Sequence, residues 1–179
     1  RLALDTTANN SFTDAMLNSF AIALPATLLP LLLGSMAAYA IVWIPFRGSR
    51  IVFFGLVALI GVPIFGVLIP LLQAYVSGAH WTIPIIDKTV TLVPQLGLAG
   101  SIVGVWITHV GTQLPFAILL LAFAVAAVPA SLIESAAIDG ASHVQVYARI
   151  VVPLIGPALA SLGVLLFLSI IGMVYTLYE

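Results

Sequence analysis

Charged side chains divide the chain into four long apolar stretches: no Asp, Glu, Lys or Arg occurs in residues 15–46, 51–86, 89–133 or 150–178. Crossing a hydrocarbon core about 30 Å thick takes roughly 20 mainly apolar residues in a helix. Each stretch therefore holds one span, predicted near Leu17–Trp43, Ile51–Val76, Ile102–Ala126 and Leu154–Tyr175. The third stretch is longer than one span needs. Its first part, "TLVPQLGLAGS", carries Pro94, Gly97, Gly100 and Ser101, and reads as an irregular lead-in at the interface or a re-entrant loop. Prolines 25, 30, 63, 70 and 115 fall inside the predicted spans, where neighbouring helices can re-satisfy the carbonyls they free. Gly34, Ser35, Ala37 and Ala38 are small enough for close helix packing. The pattern predicts an all-α, polytopic transmembrane helix bundle.

Composition removes the soluble alternative. The chain has 179 residues, 63% of them hydrophobic and 6% charged, and a mean hydropathy of +1.26. Soluble domains are about 45–50% apolar and about 25% charged, so lipid is the solvent for much of this surface. A net charge of −1 argues against nucleic acid as a partner. The absence of cysteine excludes disulfides, thiol chemistry and cysteine metal sites. Residues 1–19 hold Asp5 and Asp14 where a cleavable signal peptide would have a basic start and an apolar core, so none is expected. Arg47 and Arg50 lie in the short loop "PFRGSR", and Arg149 follows the third span, against Arg1 and Lys88 on the other side. The positive-inside rule then puts residues 45–50 and 128–150 in the cytoplasm. Residues 77–101 face outside, with His80, Trp81, Asp87 and Lys88 as a polar, aromatic interface region.

The segment between the third and fourth spans, "VPASLIESAAIDGASHVQVYARIVVPLIGPALAS", cannot sit wholly in lipid. Glu134, Asp139 and Arg149 would each cost roughly 2.5–3.5 kcal/mol at a helix centre. Two helix starts are written into it. Ser131 and Glu134 have the spacing of a capping box, and Ser142 and Gln145 repeat it. Gly140 lies between them, where a helix stop calls for a left-handed residue. Pro153 marks the start of the last span. Residues 129–152 thus predict a short helix, a glycine turn and a second helix. Ala136 and Ala137, beside Leu132 and Ile133, would let another protein approach the first helix closely, while Val144, Tyr147 and Val151 would line one side of the second. Such a pair suits docking better than catalysis.

"ESAAIDGA" (134–141) followed by "IVVPL" (150–154) closely resembles the EAA motif of binding-protein-dependent ABC importer permeases of the type I class. Ser135 stands where that motif has its first Ala, and Val152 where Leu is usual before Pro153. The flanks "NSFAIALPATLLPLLLGSMAAYAI", "PFRG" and "GVWITHVGTQLPFAILLL" resemble the carbohydrate branch, maltose- and α-glucoside-type permeases especially. The end, "SIIGMVYTLYE", lacks the Trp-Asn that many carbohydrate permeases carry there. The resemblance implies that Glu134, Ala136, Ala137, Asp139 and Gly140 contact a cytoplasmic ATPase dimer through a coupling helix. It also implies a second permease subunit in a heterodimer, an extracytoplasmic solute-binding protein, and a bacterial or archaeal inner membrane. Set against the family, about four of roughly six spans are present, so a fragment lacking the first span and the C-terminal part is expected.

Thr108, His109, Thr112 and Gln113 cluster in the third span, just before Pro115. They fit either a solute path that hydrogen-bonds sugar hydroxyls or helix–helix packing, and no second ligand stands near His109 to make a metal site. Trp106 reads as an interfacial anchor. No Gly-x-x-x-x-Gly-Lys-Ser/Thr loop, nucleophile–base pair or paired carboxylate occurs, so neither enzyme activity nor a cofactor is expected and ATP would be hydrolysed by a partner. An ion-coupled secondary transporter would use intramembrane carboxylates, whereas all six acids lie outside the predicted spans. A non-transporting assembly subunit and a permease for a non-sugar solute are the other readings.

Overall fold

The computed structural model describes residues 8–44, 46–62, 64–83, 88–93, 97–98 and 100–176. The elements run α1 (Ala8–Trp43), α2 (Ser49–Ile60), α3 (Ile64–Ser77), β1 (Ala79–Ile83), β2 (Lys88–Val93), α4 (Ile102–Ala126), α5 (Ala130–Ile138) and α6 (His143–Val146). A π-helical turn, Tyr147–Val151, leads to α7 (Val152–Leu154) and α8 (Gly156–Thr176). Apart from one β-hairpin the described chain is helical, as the apolar pattern requires.

Two helices are long and apolar enough to cross a membrane by themselves: α1 over Met16–Trp43 and α4 over Ile102–Ala126. A third crossing is formed if His143–Leu154 and Gly156–Gly172, bent by 73°, count as one span. The bend falls at Ile155, so the last helix begins two residues later than the sequence predicts. Pro25 and Pro30 are carried inside α1, Pro70 inside α3 and Pro115 inside α4, without ending any of them.

The expected span Ile51–Val76 is not one helix. It divides into α2, of 12 residues, and α3, of 14. At 1.5 Å per residue these are about 18 and 21 Å long, short of the hydrocarbon core. The sequence at the break is Gly61-Val62-Pro63. A proline has no amide hydrogen to donate and disfavours the helical conformation of the residue before it. Position 63 itself lies outside the described residues.

The second difference is the β-hairpin. β1 and β2 pair antiparallel, with Trp81 opposite Val90, Thr82 opposite Thr89 and a bulge between Ala79 and His80. The polar, aromatic region expected outside the membrane is therefore ordered as strands over much of its length. Residues 91–93 of the expected irregular lead-in belong to β2, while Gly97, Leu98 and Gly100 are irregular. Asp87 and Pro94 are outside the described residues. Ser101 does not weaken α4 but caps it, accepting the Gly104 amide at 3.0 Å.

α1 packs along α4 and then α8, while α2 rests on α4. The main core joins Ala38 and Tyr39 of α1, Ala117, Leu121, Ala122 and Val125 of α4, and Leu162 and Leu166 of α8. Its inner end takes in Val128, Ala136, Val146, Val151 and Ile155, so the segment after α4 belongs to the same core. α1 and α4 cross closely at Gly34, where a Cβ would come within 3.1 Å of the Ala117 Cβ. The small residues singled out in the sequence sit at this crossing: Gly34, Ser35 and Ala38 are buried.

Replacing Gly34 by Leu forces a branched side chain into that crossing and is expected to cost about 1–3 kcal/mol of stability. Thermal unfolding in detergent, followed by size-exclusion recovery, measures it. Gly34→Leu melting with the parent protein would mean that the helices do not approach this closely.

Candidate functional site

The segment between α4 and α8 is built as a helix–turn–helix, and its local chemistry explains the shape. α5 starts at Ala130, directly after Pro129, whose φ of −59° is already helical and whose carbonyl accepts the Leu132 amide at 3.1 Å. The capping box expected at Ser131 and Glu134 does not form. Ser131 lies inside the helix, because the proline starts it earlier, and no side chain caps α5.

The stop is as the sequence predicts. Gly140 has a φ of +78°, the left-handed value that costs an L side chain strain. The Gly140 amide donates to Ala137 O at 3.1 Å and the Ala141 amide to Ala136 O at 2.9 Å. These two bonds make a Schellman turn and satisfy carbonyls that the helix end would leave bare. The second capping box is present. Ser142 N donates to Gln145 Oε1 at 2.9 Å, and Gln145 N donates to Ser142 Oγ at 3.4 Å.

Beyond α6 the helix widens. The Val152 amide reaches back to Tyr147 O, five residues away. Pro153 supplies a cause: in an α-helix its ring would press on the carbonyl of Arg149, and a wider turn relieves that contact.

The expected contact residues do not all point the same way. Glu134, Ala137, Asp139 and Gly140 are exposed, while Ala136 is only 8% exposed and packs into the core. Ala136 is therefore an inward anchor, and only Ala137 is left to admit a partner. Sequence reading passed over Ile138, which is 86% exposed at the tip of α5. Val144, Tyr147 and Val151 do not share an outer face either. Val144 is 75% exposed, Tyr147 is half-buried and Val151 is fully buried. The contacts of Tyr147 with Ser35 and Tyr39 draw it inward, and the π turn breaks the 3.6-residue repeat between Tyr147 and Val151. Asp139, Gly140, Gln145 and Arg149 line an open notch between the two helices.

Two side-chain pairs fasten this segment to α1. Ser35 Oγ lies 2.7 Å from Tyr147 OH and donates to Leu32 O at 3.0 Å, so its one hydrogen is spent and Tyr147 is the donor between them. Tyr39 OH lies 3.1 Å from His143 Nδ1. The Tyr39 ring also meets the Tyr147 ring, with centroids 5.5 Å apart, and the His143 ring edge-on at 6.2 Å. The signal was in the sequence as two i, i+4 pairs of polar aromatics and hydroxyls, 35/39 and 143/147.

In α4 the four expected path residues separate into two kinds. Thr108 Oγ1 donates to Gly104 O at 2.8 Å, and Thr112 Oγ1 donates to Thr108 O at 2.9 Å. Their hydrogens are used within the helix. Tyr75 of α3, not foreseen, sits 3.1 Å from Thr108 Oγ1 and 3.3 Å from Gly104 O, and fastens α3 to α4. His109 is buried with its Nδ1 3.4 Å from Gln113 Nε2, while Gln113 Oε1 is buried without a partner among the described residues. Trp106 Nε1 donates to Ala21 O at 3.2 Å, so this ring joins α4 to α1. Among the described residues no group of three or more His, Cys, Asp or Glu side chains could hold a metal ion.

Residues 30–178 match the family described as binding-protein-dependent transport system inner membrane component. The chain is 40% identical over 164 residues to the osmoprotective compounds uptake permease protein of Synechocystis sp., covering 92% of this chain and 49% of that protein. It is 38% identical over 155 residues to the α-glucoside transport system permease protein of Rhizobium meliloti, covering 86% and 37%. To the trehalose transport system permease protein of Mycobacterium tuberculosis it is 28% identical over 157 residues, covering 88% and 51%. The chain spans about half the length, or less, of these curated relatives. With the match running through the α1–α4–α8 core and the whole of the α5–α6 segment, the chain belongs to the family of binding-protein-dependent transport inner-membrane components.

Proposed function

We propose that the protein is the membrane-spanning permease subunit of an ATP-driven importer for a sugar, oligosaccharide or related small solute, and that residues 129–152 are its cytoplasmic coupling element. The observation that carries this reading is the α5–α6 segment itself. A Schellman turn and a capping box make it rigid, Ala136 and Val146 hold it to the bundle, and Glu134, Ala137, Ile138, Asp139 and Gly140 stand free on its outer side. Ile138 gives that side an apolar anchor among polar neighbours, the makeup of a protein contact. Arg47, Arg50 and Arg149 support its placement in the cytoplasm.

Energy then enters from a separate ATPase dimer, as the resemblance to importer permeases implies. A second permease subunit completes the path, and an extracytoplasmic binding protein delivers the solute. The printed names of the α-glucoside and trehalose relatives support a carbohydrate, while the osmoprotective compounds of the Synechocystis relative favour that class as a second reading. His109 and Gln113 are the path residues, because Gln113 Oε1 has no partner among the described residues and would accept from a solute hydroxyl if the path opened beside it. Thr108 and Thr112 serve the helix instead.

Gly140 tests the coupling element, because nothing in this chain lies within 4 Å of where its Cβ would be and, within the chain, a substitution acts only through the left-handed backbone. A β-branched residue there costs at least about 1–2 kcal/mol, whereas Asn tolerates the conformation. In the assembled transporter Gly140→Val is expected to lose solute uptake while solute-loaded binding protein no longer stimulates ATP hydrolysis, and Gly140→Asn to keep both. Equal uptake by Gly140→Val and the parent would reject the assignment. Ile138→Asp is expected to weaken ATPase docking by roughly tenfold without unfolding the segment, as an anchor at an interface core does. Titrating detergent-solubilised permease with the ATPase measures it, and unchanged binding would remove Ile138 from the contact.

A further inference from the structure

We infer that Ser35, Tyr39, His143 and Tyr147 form a clasp that makes α1 follow any displacement of the coupling segment, so that they are positioning residues for transport. The inference rests on the reading of residues 129–152 as the coupling element. Ser35 pairs with Tyr147 and Tyr39 with His143, so four residues forward on α1 match four residues back on the other helix. The two elements therefore run antiparallel over this turn, and both pairs are made in one register only.

The surrounding contacts do not fix that register. Ala38, Val125, Val146 and Val151 meet through apolar surface, which slides at small cost because dispersion has no direction. A hydrogen bond does have direction, and breaking one in a buried place strands a polar group. Ser35 is 2% and Tyr39 4% exposed, so the α1 side of each pair is buried, while Tyr147 is half-buried and His143 exposed. When the coupling segment moves, α1 moves with it more readily than it lets go.

The route toward α8 is softer by contrast. Between His143 and α8 stand the π turn Tyr147–Val151 and the 73° bend at Ile155, both of which can absorb motion. Ser35 adjoins Gly34 at the close crossing with Ala117, so a pull on α1 is delivered straight to α4. The path residues His109 and Gln113 lie on that helix.

The test uses the complete transporter in proteoliposomes, with the full-length permease carrying Ser35→Ala, Tyr147→Phe, the two together, or Tyr39→Phe. Each change deletes one hydroxyl and keeps the shape of the packing. Every variant is expected to bind the ATPase as the parent does and to retain its basal ATP hydrolysis. Solute moved per ATP should fall by about fivefold in each single variant, the size of one net neutral hydrogen bond. The double variant should fall no further than either single one, because both remove the same bond. Parental transport per ATP in the single variants, or a double variant equal to the product of the singles, would overturn the clasp. So would loss of ATPase binding, which would assign the hydroxyls to folding. Failure of the parent itself to bind an ATPase would instead reject the coupling reading, which separates the two failures.

Discussion

The crossing of α1 over α4 at Gly34 and Ala117 sets the register of everything else in the bundle. Lipid tails are as apolar as leucine, so helices in a bilayer are not driven together by burial and depend on fit. A glycine against an alanine brings two backbones close and leaves little room for rotation. Ser35, Ala38 and Tyr39 are buried on α1 beside Gly34 and share one face at i, i+3 and i+4 spacing. Val146, Tyr147 and Val151 pack against that core, and the bonds of Ser35 and Tyr39 to Tyr147 and His143 select the register there. A polar element at the end of the bundle is thereby positioned by a contact made inside it.

Polar atoms in the spans show how the chain manages an apolar solvent. Thr108, Thr112 and Ser161 turn their hydroxyl hydrogens onto carbonyls of their own helix, three to four residues back. Tyr75 spends its hydrogen on α4, and Tyr147 spends its own on Ser35. Thr27 Oγ1, Trp43 Nε1 and Gln113 Oε1 are buried without a partner among the described residues. In a membrane such groups mark where a bundle meets another subunit or a wet path.

Much of this was legible in the residues. Runs without charge located α1, α4 and α8, and the sequence Asp139-Gly140 located the turn, because both depend on local chemistry that no neighbour overrides. The Ser142 capping box was legible for the same reason. Ser131 misled because Pro129, two residues earlier, starts the helix first, and two valid local signals competed. The division of residues 51–76 was written in Gly61-Val62-Pro63, but hydropathy averages over such a break. Of the strands at 79–83 and 88–93 only the second is signalled, by Thr89-Val90-Thr91 after Lys88, a run too short to stand out inside an apolar stretch. Burial of Ala136 and exposure of Ile138 could not be read at all, because the inward side of α5 is decided by where α6 is placed.

That placement follows from the turn at Tyr147–Val151. A helical turn holding one surplus residue shifts all that lies beyond it by about 100° around the axis. The azimuth of α6 relative to α8 thus changes with a single residue of winding next to Pro153, at the edge of the segment that is being aimed. The side chains of the segment determine what it can bind, while the direction in which it presents them depends also on the winding beside Pro153, before the last helix begins.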